Sequence, residues 1–141
     1  MNDKPLILVC DDESHIVHVV SLKLRNAGYE VVTAQDGAEG LEIARQRTPD
    51  LLITDYQMPR MNGVELCAAF REDNTLAKVP AIMLTARGFR LDPLEVRQAR
   101  IAEVLSKPFS PREVLARVQE LLTKEDEEAG SDESPPIEAV A

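Results

Sequence analysis

The amino-acid sequence predicts an α/β fold, a doubly wound sheet of five parallel strands flanked by five helices. Five short apolar or β-branched runs of four to six residues alternate with longer segments whose apolar residues recur at helical spacing. Strands that alternate with helices in this way favour a parallel sheet with helices on both faces. The length of 141 residues is that of one ordinary domain with its own hydrophobic core.

The first half of the chain contains three predicted strands and two predicted helices. The strands are predicted at Leu6 to Cys10, Tyr29 to Ala34 and Leu51 to Thr54. The first helix begins at Ser14 and ends at Gly28, a residue typical of helix C-termini. The second begins at Asp36, with Glu39 three residues on as in a capping box. The predicted inward-facing residues are Ile16, Val19, Val20, Leu24 and Ala27 in the first helix and Ala38, Leu41 and Ala44 in the second.

The second half repeats this alternation with one weak segment. Strands are predicted at Ala81 to Leu84 and Glu103 to Ser106, and a helix at Gly63 to Glu72 with Leu66, Cys67 and Phe70 facing inward. Between those strands, Leu94 to Ala102 has weak helical character and little apolar stripe. The last helix is well marked, because Ser110 suits the N-cap, Pro111 the first helical position and Glu113 a capping box. Its apolar face comprises Val114, Val118, Leu121 and Leu122.

The distribution of charge divides the chain into a domain and an acidic tail, and charge and hydropathy argue against nucleic-acid binding and a membrane span. The net charge is −9, and residues 124 to 141 carry seven acidic residues against one lysine. We therefore predict a domain over residues 1–123 and an acidic, disordered tail over residues 124–141. The acidic balance argues against direct nucleic-acid binding, and the apolar runs are too short to span a membrane. Without a basic N-terminal leader, we expect a cytoplasmic protein with Cys10 and Cys67 as reduced, buried thiols.

Polar residues follow four of the predicted strands. Asp11 and Asp12 follow the first strand, Asp55 the third, Thr85 the fourth and Lys107 the fifth. Since ligands bind outside the carboxyl ends of the strands in a doubly wound sheet, these side chains should converge. Three clustered carboxylates need raised pKa values or a cation between them, and oxygen ligands suit Mg²⁺. With a lysine and a hydroxyl to bind a phosphoryl group, the set favours phosphoryl transfer to a carboxylate nucleophile.

Four short motifs occur in order between about Leu6 and Leu122. They are Val9-Cys10-Asp11-Asp12-Glu13, the segment from Asp50 to Gly63 with Asp55-Tyr56-Gln57-Met58-Pro59 at its centre, Leu84-Thr85-Ala86, and Ser106-Lys107-Pro108-Phe109. Together they resemble the receiver domains of bacterial response regulators, the CheY-like phosphoacceptor modules of two-component signalling. The resemblance implies a flavodoxin-like sheet with strand order 2-1-3-4-5.

The resemblance also implies a role for each matching residue at the metal and acceptor site. Asp55 would accept the phosphoryl group as an aspartyl phosphate and contribute to a Mg²⁺ site. Asp12 would bind Mg²⁺ directly or through water, with Asp11 beside it. The backbone carbonyl of Gln57 would be a further metal ligand.

The residues that would switch such a domain between its unphosphorylated and phosphorylated states match the family only in part. Thr85 would bind the phosphoryl group and pull its loop inward, and Lys107 would contact a phosphoryl oxygen after a cis bond to Pro108. Gln57 and Arg87 match variable positions that tune phosphoryl lifetime. The family usually has an aromatic residue three positions before the lysine, where this chain has Val104. We therefore expect a shift of residues 86 to 102 in place of an aromatic swing.

The predicted function is that of a single-domain response regulator. A sensor histidine kinase or histidine phosphotransfer protein would donate the phosphoryl group, and the signal would pass to a partner protein. The chain would catalyse only its own phosphorylation and dephosphorylation, with no output domain after Leu122. A phosphate sink or relay and a degenerate receiver that only binds partners remain alternatives. An aspartyl-phosphate hydrolase is disfavoured because Gln57 replaces the second Asp of such enzymes, and a phosphorylation-dependent homodimer stays open.

Overall fold

The computed structural model describes residues 4–130, with only the backbone described for residues 125–130. The strands are β1 Leu6–Cys10, β2 Glu30–Ala34, β3 Leu51–Asp55, β4 Ala81–Thr85 and β5 Glu103–Ser106. The helices are α1 Ser14–Asn26, α2 Gly37–Gln46, α3 Gly63–Glu72, α4 Pro93–Gln98 and α5 Pro111–Gly130. Within the described residues, no helix combines the length and the hydropathy that crossing a bilayer requires.

The five strands form one parallel sheet in the order β2-β1-β3-β4-β5, which confirms the predicted class and strand order. Leu8 in the central part of β1 pairs with Val32 on one side and Leu52 on the other. All residues of β1, β3 and β4 are buried, as their continuous apolar runs predict. The edge strands β2 and β5 are only partly buried.

The sheet separates two apolar clusters because successive side chains of a strand point to opposite faces. One cluster joins alternate residues of the strands, such as Leu8 and Leu52, to Leu66 and Phe70 of α3 and to α2. The other joins the intervening residues, such as Ile53, to helices α1 and α5. Its helical members include Val20, Leu24, Val114 and Val118. The strand ends are therefore held rigidly from both faces.

The predicted helix starts are present. Asp36 caps α2, where its Oδ1 accepts a hydrogen bond from the Glu39 N–H at 2.8 Å. The Glu39 carboxylate reaches back to the Gln35 N–H, one residue before the cap. Ser110 Oγ likewise accepts from the Glu113 N–H at 3.0 Å at the start of α5.

The inner faces of the first two helices match the prediction in part, and in α2 the predicted Leu41 and Ala44 are buried. In α1 the buried residues are Val20, Ser21 and Leu24, whereas Val19 is 43% exposed. Val20 and Leu24 are thus buried as predicted and Ile16 packs partly against the same cluster, whereas Val19 and Ala27 lie outside the buried stripe. In α2, Gly40 is buried because the helix packs so closely that a Cβ there would lie 2.6 Å from Cys10 Sγ.

The structure defines the weakly predicted helix α4 and extends the last helix, α5, beyond its predicted end. Helix α4 has only six residues and none of them is buried, so its sequence carries no apolar stripe. Helix α5 continues to Gly130, so the predicted disorder of residues 124 to 130 is corrected to helix. The segment after residue 124 is rich in Glu and contains neither Pro nor Gly before Gly130, and Glu is a good helix former. The rest of the predicted tail, residues 131–141, lies outside the described residues.

Both cysteines are free thiols in the cluster beneath α2 and α3. Cys10 and Cys67 are completely buried. Burial raises the pKa of the Cys67 thiol to about 12 and raises that of Cys10 further. As predicted, they act as small apolar core residues.

Candidate functional site

The predicted polar residues converge at one edge of the sheet. Asp11 directly follows β1, Asp55 and Thr85 end β3 and β4, and Lys107 directly follows β5. Asp11, Asp55 and Thr85 are at most 5% exposed, whereas Asp12 is exposed. The three central strands end at the same level because they are parallel and in register. This arrangement places a carboxylate, a hydroxyl and an ammonium around one cleft.

Three carboxylates form the acidic part of the cleft. One oxygen of each of Asp11, Asp12 and Asp55 lies within 4.8 Å of the others. Burial raises the pKa of Asp11 to about 6, and the charge of Asp55 adds to this. The pKa of Asp55 is also raised by burial, although the ammonium of Lys107 opposes the shift. Bringing these groups together leaves negative charge that the Lys107 ammonium offsets only in part.

The carboxylate cluster fits a hard divalent cation. Asp11 Oδ2 is buried and has no hydrogen-bond partner among the described residues. A buried carboxylate oxygen left unpaired is costly, and an oxygen-only donor set of this size matches what Mg²⁺ prefers. The residues that could hold Mg²⁺ are thus Asp11, Asp12 and Asp55. Gln57 lines the same cleft, which has a volume of about 470 Å³.

Lys107 reaches the cleft from the carboxyl end of the edge strand β5. Its Nζ lies 3.0 Å from Asp55 Oδ1 and 3.6 Å from Asp11 Oδ2. The peptide bond between Lys107 and Pro108 is cis, as the resemblance implied. The Lys107 backbone N–H also donates to the Thr85 carbonyl at 2.8 Å, which anchors the lysine to the end of β4.

Thr85 presents a hydroxyl with nothing to bind. The residue is 1% exposed, and its Oγ1 has no hydrogen-bond partner among the described residues. A buried hydroxyl usually finds a partner, so an unpaired one at the end of β4 indicates a place for an absent oxygen acceptor. A phosphoryl oxygen on the Asp55 carboxylate would supply one.

The loop between β3 and α3, residues 56–62, is firmly held. The Gly63 N–H donates to the Tyr56 carbonyl at 2.9 Å, and Asn62 forms a complete capping box with Glu65. Arg60 adopts a left-handed backbone, with φ of 69°, and its guanidinium forms an ion pair with the Asp36 carboxylate at 2.5 Å. This loop carries Gln57 into the cleft.

The segment after β4 is much less constrained. Residues 86–90 are all exposed, and they include Arg87, which lines the cleft. The Phe89 ring stacks on Tyr56, with ring centroids 4.8 Å apart. Val104 is 42% exposed on β5 and does not contribute an aromatic ring to this region. The stack of Tyr56 on Phe89 therefore joins the loop that follows Asp55 to the segment after β4.

Sequence reasoning overlooked Glu13 as a site residue. Its Oε1 lies 2.6 Å from Lys107 Nζ, which is the shortest contact that Lys107 makes within the described residues. This ion pair lowers the pKa of Glu13. The signal was present in the sequence, because Glu13 is the third consecutive acidic residue after β1. Asp11 and Asp12 already supply two carboxylates for a metal from this segment. A third acidic residue beside them is therefore available to pair with Lys107, the only lysine at the predicted site.

The fold and this cleft define a doubly wound domain with a candidate metal site at the carboxyl ends of its strands, and comparison with known proteins identifies its family. Residues 7–119 match the family model of the response regulator receiver domain, so the chain belongs to that family. Receiver domains of two-component systems bind Mg²⁺ at an acidic site and interact with histidine kinases or phosphotransfer proteins. This chain has an acidic cluster of Asp11, Asp12 and Asp55 at the carboxyl edge of its sheet.

Sequence relatives include longer transcription regulators. The chain is 39% identical over 133 residues to the alkaline phosphatase synthesis transcriptional regulatory protein PhoP of Bacillus subtilis. That match covers 94% of this chain but 54% of PhoP. The chain therefore spans about half the length of this regulator.

Solved structures share the whole fold. A putative response regulator from Chloroflexus aurantiacus has a TM-score of 0.80 and 34% identity, covering 86% of this chain and 99% of its own. The receiver domain of a sensor histidine kinase from Pseudomonas aeruginosa has a TM-score of 0.77 and 27% identity, covering 85% and 98%. That second structure has a magnesium ion coordinated in its active-site cleft.

Proposed function

We propose that this chain accepts a phosphoryl group on Asp55 from the phosphohistidine of a sensor kinase or a phosphotransfer protein. The observation that carries the proposal is the surrounding of Asp55. Its buried carboxylate lies 3.0 Å from the Lys107 ammonium, and Thr85 ends the neighbouring strand with an unpaired hydroxyl. A nucleophile, a cation and a hydrogen-bond donor thus face the same small volume.

The transfer conserves atoms and charge. A carboxylate oxygen of Asp55 forms a bond to phosphorus as the bond from phosphorus to the donor imidazole nitrogen breaks. The electron pair of that bond stays on the imidazole, which takes a proton from solvent. Lys107 neutralises charge on the phosphoryl oxygens while Thr85 donates a hydrogen bond to one of them. A Mg²⁺ ion held by Asp11, Asp12, Asp55 and the Gln57 carbonyl would stabilise further negative charge.

The signal leaves through the segment after Thr85. When the Thr85 hydroxyl binds the phosphoryl group, it moves toward Asp55 and shifts residues 86 to 102. The part of this segment nearest Thr85 has few buried contacts to break, because residues 86–90 are exposed and no residue of α4 is fully buried, so a small driving force is enough to move it. The shifted surface would be recognised by a partner protein in the cytoplasm. The chain then acts as a signalling protein that catalyses only its own phosphorylation and dephosphorylation.

The first experiment is phosphorylation with acetyl phosphate and Mg²⁺, followed by intact mass spectrometry. We expect the wild type to gain one phosphoryl group and the variant Asp55→Asn to gain none. A chelator should block the gain, because Mg²⁺ offsets the charge of the acidic cluster. Hydroxylamine should remove the group, since it cleaves acyl phosphates.

The controls separate Asp55 from other acceptors. Hydroxylamine leaves phosphoserine intact, and peptide mapping distinguishes Asp55 from His15 and His18 on the exposed start of α1. Circular dichroism should show that Asp55→Asn is folded. A folded Asp55→Asn variant that still gains a hydroxylamine-sensitive group would overturn the assignment of Asp55. A wild type that gains none from acetyl phosphate or from any phosphohistidine donor would overturn the function.

A further inference from the structure

The ammonium of Lys107 is shared between the acceptor and a second carboxylate at the mouth of the cleft. Lys107 Nζ lies 2.6 Å from Glu13 Oε1 and 3.0 Å from Asp55 Oδ1. The Lys107 side chain is 21% exposed, and that of Glu13 is 48% exposed. In this state, Glu13 holds the lysine from the solvent side and Asp55 holds it from within.

The position of Glu13 on α1 leaves its carboxylate available for this contact. Glu13 is the N-cap residue of α1, yet its side chain makes no capping hydrogen bond. Its backbone N–H donates to Asp11 Oδ1 at 2.9 Å, which fixes the residue beside the metal cluster. A shorter Asp, Ser or Asn at this position would turn back to cap the helix. The longer Glu side chain extends to Lys107 instead.

The charges of the cleft make this contact a competitor for the phosphoryl group. One ammonium faces four carboxylates, which belong to Asp11, Asp12, Glu13 and Asp55. A phosphoryl group on Asp55 would add about two negative charges at neutral pH. Because Glu13 and the phosphoryl group would share one ammonium, the contact with Glu13 weakens the attraction of Lys107 for a phosphoryl oxygen. The carboxylate of Glu13 also repels any anion that enters from the mouth.

We propose that Glu13 is a positioning residue that restrains Lys107 in the unphosphorylated site and competes with the phosphoryl group for its ammonium. This inference rests on the proposed function, because it concerns the same site. It predicts that removing the Glu13 charge favours the phosphorylated state. Glu13 thereby limits phosphorylation by weak donors and shortens the lifetime of the product.

The test measures binding of beryllofluoride, a phosphoryl mimic, in the presence of saturating Mg²⁺. We expect Glu13→Gln to bind it about fivefold more tightly than the wild type, as loss of one partly exposed ion pair allows. Glu13→Asp should show a smaller gain, because its shorter side chain loses the contact but keeps the charge. Glu72→Gln removes an exposed charge at the far end of α3 and should bind like the wild type.

A second measurement follows Lys107 directly in the protein without metal. The chain has five lysines, so ammonium signals of protein labelled with ¹⁵N-lysine can be assigned by substitution. In the wild type and in Glu72→Gln, the Lys107 ammonium should exchange slowly with water. In both Glu13 variants it should exchange faster. A purely structural role for Glu13 would instead lower the melting temperature and weaken the mimic.

The outcomes separate the two proposals. Equal or weaker mimic binding by Glu13→Gln, in a wild type that does bind the mimic, overturns the role of Glu13 alone. Unchanged exchange of the Lys107 ammonium in both Glu13 variants also overturns that role. A wild type that does not bind the mimic at saturating Mg²⁺ overturns the proposed function, and the role of Glu13 with it.

Discussion

The two loops that flank Asp55 differ sharply in how they are held. On one side, residues 56–62 are fixed by the capping box of α3, by the Gly63 hydrogen bond and by the ion pair of Arg60 with Asp36. Helix α3 then buries Gly63, Leu66, Cys67 and Phe70. On the other side, residues 86–90 are exposed and α4 buries no residue. Within that stretch the Ala86 carbonyl accepts a hydrogen bond from the Phe89 N–H, and the Phe89 ring stacks on Tyr56.

This difference shows how one site can both hold a ligand and transmit its presence. A metal and a nucleophile need fixed positions, because a displacement of about 1 Å can cost catalysis orders of magnitude. A signalling segment must change its contacts for the free energy of a few hydrogen bonds, so it needs few contacts at the start. The loop before α3 is therefore fixed by many contacts, whereas the segment before α4 makes few.

The largest effect should come from a methyl group added on the fixed side. In Gly63→Ala, the new Cβ would lie 2.4 Å from the Asp55 carbonyl oxygen and 2.7 Å from Met83 Sδ. Because backbone must move, we expect a loss of about 3 kcal/mol in the free energy of unfolding. Urea unfolding measures this loss.

A matched glycine on the loose side provides the control. Gly88 has a φ of 78°, and a Cβ there would meet nothing within 4 Å. Gly88→Ala should therefore cost only about 1 kcal/mol, from the left-handed backbone. Equal losses for Gly63→Ala and Gly88→Ala would show that the two sides are equally constrained, contrary to the comparison.

A smaller effect should come from Asp11, which follows β1 and lies beside Asp55 between the two loops. Its pKa is 3.8 in the unfolded chain and about 6 in the folded protein without metal. The folded state thus binds the proton more tightly, and this stabilisation is full below about pH 4 and lost as the pH rises through 6. Asp11→Asn does not titrate. Relative to the wild type, it should gain about 2 kcal/mol in unfolding free energy between about pH 4 and pH 7.5.

Urea unfolding at several pH values, without metal, measures this gain. The lowered pKa values of Glu13 and Asp36 act in the opposite direction, but they are present in both proteins and largely cancel in the difference. Adding Mg²⁺ should stabilise the wild type and have little effect on Asp11→Asn. Parallel pH profiles of the two proteins would contradict the raised pKa of Asp11.

The smallest effect should come from Phe89→Ala on the loose side. Phe89 is 38% exposed, and its stacking on Tyr56 is its main packing contact. We expect a loss below about 0.5 kcal/mol in unfolding free energy, the low end for an exposed aromatic pair. Urea unfolding should show this small loss, while the backbone amide shifts of residues 86 to 102 should change. A loss above about 1 kcal/mol would mean that this segment is packed more firmly than its exposure indicates.

Most of the fold could be predicted because each element is determined by its own residues. The five strands are where continuous apolar or β-branched runs place them, and Asp36 and Ser110 begin helices through their own side chains. Helix α4 was weakly marked because none of its six residues is fully buried and only Val96 packs partly against the core, which leaves no apolar stripe in its sequence. Helix α5 runs past the predicted start of the tail at residue 124, because residues 125 to 128 are rich in Glu, which favours a helix although the acidic composition had indicated disorder.

The site was predictable in its composition but not in its contacts. Residues at strand ends must meet at one sheet edge, which brought Asp11, Asp55, Thr85 and Lys107 together from topology alone. The ion pair of Glu13 with Lys107 depends instead on side-chain direction at the start of α1. The pairing of Arg60 with Asp36 and the stacking of Phe89 on Tyr56 likewise join segments that no local pattern links.

The two native thiols should be protected from alkylating reagents in the folded protein, because they are buried. Since Cys10 and Cys67 lie fully inside the core and resist ionisation, the folded protein should not react with iodoacetamide at neutral pH. A cysteine introduced on the surface can then be labelled alone, without removing either native thiol. The rate at which Cys10 or Cys67 is modified would in turn measure how fast the core opens. Cys10 reports on β1 and Cys67 on α3.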